Sequence, residues 1–147
     1  MSRPSPRRLA GAALALSLLV LAPAARAAND NLAANKALVE NFWKDVFIAR
    51  NVDAAARYIR PDFIQHDPHM GPGLKGFVDF FKDAFARTPP GLKVEILKTV
   101  AEGDLVVTYN QFSGTDPQGK PFTGTGFDMF RLQGGLIAEH WSQVEPD

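Results

Sequence analysis

Asp128 sits among Phe127, Met129 and Phe130, and His140 immediately precedes Trp141 in a second apolar run. Ionisable groups inside apolar strands are unusual, because an unpaired buried charge is costly. A carboxylate facing an imidazole can handle protons near neutral pH, since histidine has an unperturbed pKa of about 6.5 and a neighbouring carboxylate fixes its tautomer. Such a pair suits removal of a proton α to a carbonyl, the opening step shared by aldol closure, isomerisation and dehydration. The developing enolate oxygen then needs a hydrogen-bond donor. His140 can act as base or acid with Asp128 orienting it, or Asp128 can itself be the base. His66 or Tyr109 can supply the donor.

Whether the pair meets depends on a turn. Alternating runs flank Gln133-Gly134-Gly135, which predicts an antiparallel hairpin. A two-residue Gly134-Gly135 loop pairs residue 132 with 137 and sets Asp128 opposite Trp141. A three-residue loop with a glycine bulge pairs 132 with 136 and sets Asp128 directly opposite His140.

The elements that must position these groups follow from periodicity. Val39, Phe42, Trp43 and Val46 form one stripe of a helix from about residue 29 to 49. Asp53 can cap a short second helix that Pro61 stops. Phe63-Ile64 predicts a short strand, and residues 66–73 a loop rich in Pro and Gly. Phe77, Phe80, Phe81, Ala84 and Phe85 give a third helix, at 75–86, with an aromatic face. Strands are expected at 92–101, 105–113, 122–132 and 136–144, with turns at 102–104 and 116–119. Helices followed by a strand meander predict an α+β fold, a curved sheet of four to six strands wrapped over about three helices. Its concave side would hold an apolar pocket for a small hydrophobic molecule.

The chain of 147 residues has room for one domain behind a distinct leader. Arg3, Arg7 and Arg8 precede an apolar run from Leu9 to Ala22, too short to span a bilayer, and Ala25-Arg26-Ala27 is a small-x-small cleavage site. Residues 1–27 therefore read as a signal peptide and residues 28–147 as the exported domain, periplasmic or secreted. The Sec route is favoured, because the residues around Arg7-Arg8 match the twin-arginine pattern poorly. Cleavage takes four of the 16 Lys+Arg and none of the 16 Asp+Glu, leaving 12 against 16 and a formal charge of −4. That balance gives neither nucleic acid nor an anionic membrane a basic face. With no cysteine in the chain, disulfides, thiolate nucleophiles and Cys-ligated metals are excluded. His66, Asp67 and His69 share a loop, but Pro68 constrains it and the spacing fits no familiar metal motif, so no metal is expected. Ser113 and Ser142 lack a nucleophile elbow, and Gly124-x-Gly126 opens no helix, so neither acyl-enzyme chemistry nor a phosphate loop is indicated.

Tyr58-Ile-Arg-Pro-Asp-Phe-Ile-Gln-His-Asp-Pro68, Ala101-Glu-Gly-Asp-Leu-Val-Val107, Phe127-Asp-Met-Phe-Arg131 and Glu139-His-Trp141, taken in order, resemble the SnoaL-like branch of the nuclear-transport-factor-2-like superfamily. The resemblance runs from about residue 31 to 144. It implies a cone-shaped α+β barrel, no metal or organic cofactor, and a homodimer through the sheet. It also implies either cofactor-free proton-transfer chemistry of the aldol cyclase, isomerase or dehydratase type on a small hydrophobic carbonyl compound, or a non-catalytic binding module in the same cup. In the polyketide cyclases of this branch an acid/base aspartate falls at Ser142 and a pocket histidine at Asp128; both positions point into the cavity. That favours the three-residue loop, which places Asp128, His140 and Ser142 on one face, with His66 at the mouth. Trp43, Phe63, Phe80, Tyr109 and Phe130 would complete the substrate wall with Ser142, and Trp141 would face outward.

Overall fold

The computed structural model describes residues 21–87, 92–115 and 119–146. Most of the expected leader and part of the turn expected at 116–119 lie outside the described residues, and no helix among those described is long and apolar enough to cross a membrane.

Helix α1 (Leu21–Phe42) passes directly into a π-helical segment, Trp43–Ile48. The single long helix expected from the sequence is therefore widened at its C-terminal end, where the Ala49 amide reaches back to Lys44 at 2.9 Å. The chain leaves it through Arg50, whose φ of 52° is left-handed, and the Arg50 guanidinium donates to the Phe85 carbonyl at 2.5 Å. The second helix is a 3-10 turn, Val52–Arg57. Asp53 does not cap it; its carboxylate pairs with Lys82 at 2.8 Å.

Five strands form one sheet in the order β1-β5-β4-β3-β2, comprising β1 (Ile59–Gln65), β2 (Lys93–Glu102), β3 (Leu105–Thr115), β4 (Pro121–Gln133) and β5 (Leu136–Pro146). Three of the four contacts are antiparallel, whereas β1 runs parallel to β5 at the edge. That edge location accommodates Pro61, which cannot donate to a ladder. β1 is also longer than the two residues expected. Helix α2 (Gly73–Arg87) packs on β1 and the 3-10 turn. Gly76 lets its first turn lie against the preceding loop, since a Cβ there would fall 2.0 Å from the Gly71 carbonyl oxygen.

Inward side chains alternate along β4 as Gly124, Gly126, Asp128, Phe130 and Leu132, and along β3 as Val106, Thr108 and Asn110. Val39, Phe42, Trp43 and Val46 from the helical layer meet this concave face. Phe42 packs against the rings of Trp43, Phe47, Tyr58, Phe77 and Phe130 at 5.6–6.3 Å. The architecture is the α+β cone expected, with its aromatic residues concentrated where sheet and helices face each other.

Candidate functional site

The turn between β4 and β5 decides what the cone contains. Gly134 and Gly135 have φ of 62° and 75°, the double left-handed pair of a two-residue type I′ turn. Gln133 therefore pairs with Leu136 and Leu132 with Ile137, so the three-residue loop favoured from the sequence does not form. Neither register holds along the whole hairpin, however. Arg131 pairs with Glu139, leaving Ala138 as an extra residue on β5. This bulge shifts the pairing by one and changes which side chains point inward. Asp128 comes opposite Ser142, and His140 comes opposite Phe130. Asp128 and His140 are thus diagonal neighbours on the inner face, not directly opposed partners. Their contact is nonetheless direct: His140 Nε2 lies 2.9 Å from Asp128 Oδ1, with both side chains at least nine-tenths buried.

A directed chain of hydrogen bonds fixes both groups. The Asp67 amide donates to Gln65 Oε1 at 3.1 Å, and the Gln65 carboxamide faces His140 Nδ1 with its nitrogen at 3.0 Å and its oxygen at 3.2 Å. An ionised Asp128 can only accept, so neutral His140 meets it as the Nε2–H tautomer, with the proton directed at Oδ1. Asn110 Nδ2 donates to the other carboxylate oxygen, Asp128 Oδ2, at 2.8 Å and reaches Thr108 Oγ1 at 3.0 Å. The imidazole also stacks on Phe130 with ring centres 4.8 Å apart. Both nitrogens of neutral His140 are therefore engaged, whereas a carboxylate offers about four lone-pair sites, of which these two bonds occupy two.

Asp128 and His140 line a cavity of about 260 Å³. Of the residues expected to form its wall, Trp43, Phe63, Phe80, Phe130 and Ser142 do so. Tyr109 does not. It lies on the outer face of the sheet, stacked on Phe127 at 4.6 Å, because the inward positions of β3 belong to the polar Thr108 and Asn110. His66 is likewise outside. Strand alternation turns Gln65 inward and His66 outward, where it bonds Glu139 Oε1 at 2.8 Å and stacks on Trp141 at 4.6 Å. The donor role read for His66 and Tyr109 has no geometry here. His69 is turned onto Asp67, and among the described residues no cluster of three or more His, Asp or Glu is placed to hold a metal. Gln65 and Asn110 escaped the sequence reading. The available signal for Gln65 was its place one residue before His66 at the end of a β-rich run.

On the outer face, hydrogen bonds from His66 and then Arg131 hold the Glu139 carboxyl below its ordinary value of 4.5. A depressed carboxylate adds stability above its unfolded pKa, and that stability is lost as pH falls through the folded value. Glu139→Gln should therefore weaken the fold at neutral pH and flatten the decline in stability below pH 4.5, as read by denaturant melts across an acid pH series.

The family model for SnoaL-like polyketide cyclases matches residues 37–145. Similar solved structures include TsrD from Streptomyces laurentii, with TM-score 0.69 and 21% identity over 77% of this chain and 89% of that one. IdmH from Streptomyces antibioticus has TM-score 0.65 and 24% identity, covering 76% and 91% of the two chains. A SnoaL-like polyketide cyclase from Agrobacterium tumefaciens has TM-score 0.63 and 16% identity, covering 73% and 88%. No curated protein matches this chain. At such identities the structures speak for the fold, and the family model spans most of the chain: this protein belongs to the SnoaL-like polyketide cyclase family.

Proposed function

We propose that this protein is a cofactor-free acid/base enzyme acting on a small hydrophobic carbonyl compound, with Asp128 as the base. The observation that carries this reading is the 2.9 Å contact between Asp128 and His140 at the cavity wall. His140, held by Gln65 on one side, keeps a proton aimed at the carboxylate; Asn110 holds the second oxygen. The carboxylate takes a proton from the carbon α to the substrate carbonyl, and the C–H electron pair moves into the enolate. The proton then returns to another carbon, or the enolate carbon attacks a second carbonyl, or a β-hydroxyl leaves. These are the isomerase, aldol cyclase and dehydratase outcomes. Ser142 is the cavity-lining hydroxyl nearest in the ladder to Asp128, which supports it as donor to the enolate oxygen.

Catalysed exchange of α-protons tests the shared step without knowledge of the natural substrate. Incubating β-tetralone with the protein in deuterated buffer should give proton loss above the buffer rate by NMR. Exchange at the buffer rate, with the ketone shown to bind, would favour the alternative of a non-catalytic binding module. One observation supports that alternative: both nitrogens of His140 are already satisfied.

The outer sheet face supports a homodimer. Phe127 and Val100 are about half exposed there, beside Tyr109 and Met129. Light scattering should show a dimer that Phe127→Lys converts to monomer; a monomeric wild type would remove this proposal.

A further inference from the structure

The cavity limits both the size and the charge of what it can take. An apolar cavity of ~150 Å³ accommodates a single benzene ring. At about 260 Å³, this one has space for a second fused ring with its carbonyl, and not for a third. Its walls leave little slack, because Phe42, Phe63 and Phe77 are buried core residues as well as lining. Packed interiors resist expansion.

The charge limit comes from the polar groups. Asp67 and Asp128 line the cavity, together with His140 and Ser142, and neither lysine nor arginine does. Asp67 and Ser142 also border the outer groove formed with His66, Pro68, His69 and Trp141, which marks them as the rim through which the cavity meets solvent. Asp67 is held by the His69 amide at 2.8 Å and by the His69 ring at 2.9 Å. A substrate carboxylate would pass one fixed carboxylate at the rim and come to rest near another, with no cation to offset its lost hydration. An ammonium group would pair with Asp128 and occupy the base.

We propose that the site selects an uncharged two-ring ketone or enone, and that Asp67 at the rim is the residue that rejects anions. The ketone function rests on the acid/base reading above; the size and charge limits rest on the lining alone.

The test uses Trp43 as reporter, in a Trp141→Phe background that removes the indole on the outer face. Titrations run at pH 8. β-Tetralone and methyl β-naphthoate should quench saturably. β-Naphthoate should bind roughly tenfold or more weakly than its ester, and the three-ring anthrone should not bind. Asp67→Asn should narrow the gap between acid and ester. Naphthoate binding as tightly as its ester, anthrone binding as tightly as β-tetralone, or no two-ring compound binding would each overturn the proposal. An acid–ester gap unchanged in Asp67→Asn would overturn the role of Asp67. Saturable binding of β-tetralone without proton exchange would leave this selection rule standing and remove the enzymatic reading instead.

Discussion

Asp128→Ser should slow α-proton exchange by about 10²- to 10⁴-fold, the usual contribution of one general base. Adding Ser142→Asp to the same chain should recover part of that loss. The reason lies in the ladder: residues 128 and 142 are direct partners across β4 and β5, both on the inner face, with Cβ atoms expected about 5 Å apart. A carboxylate moved from one to the other stays beside the same cavity and within reach of His140, two residues along β5. The family resemblance places the acid/base aspartate at 142, so on this account the carboxylate has changed strands without leaving the site. Exchange rates of the two variants, measured beside the wild type, decide the matter. A double variant no faster than Asp128→Ser would show that the location of the carboxylate, as set by Asn110 and His140, matters more than its presence.

The second large effect is on stability. Phe42→Ala should cost about 3–5 kcal/mol, the range for removing a buried aromatic side chain. Phe42 is 2% exposed and touches rings from helix, strand and the α2 layer at once, so no single neighbour can move in to close the hole. Against a total of about 5–15 kcal/mol for an ordinary domain, the variant should be close to unfolding at room temperature. Phe80→Ala, at a half-buried lining position, should lose much less. Denaturant titration of both variants separates the two roles: equal losses would mean that Phe42 is not the hub its contacts indicate.

The class of fold was legible because helix and strand periods are written plainly in this chain. The aromatic stripe from Phe77 to Phe85 and the strands after Leu92 needed only spacing to be seen. Trp43, Phe63, Phe80 and Phe130 followed from it, since an apolar residue on the inner face of a cone becomes wall. What failed was parity. On β3 the usual rule is broken at two positions, because Thr108 and Asn110 face inward between Val106 and Phe112, with Asn110 bonded to Asp128, while Tyr109 faces out. Alternation alone cannot distinguish such a strand from an ordinary one flipped over. His66 was misplaced for a related reason: β1 extends through Gln65, so the polar residue that reaches the site is Gln65 and not its neighbour. The parallel pairing that brings β1 beside β5 leaves no local mark in either segment.

The extra residue at Ala138 means that the last strand carries two alternative linings, read in different phases. Every side chain after it owes its inward or outward sense to that single insertion. Were Ala138 drawn into the ladder instead, the pairing set at the turn would run on unbroken and present Trp141 to the cavity and His140 to the outside. The lining of β5 is thus held by a backbone irregularity two residues before His140, and not by the side chains that it turns inward.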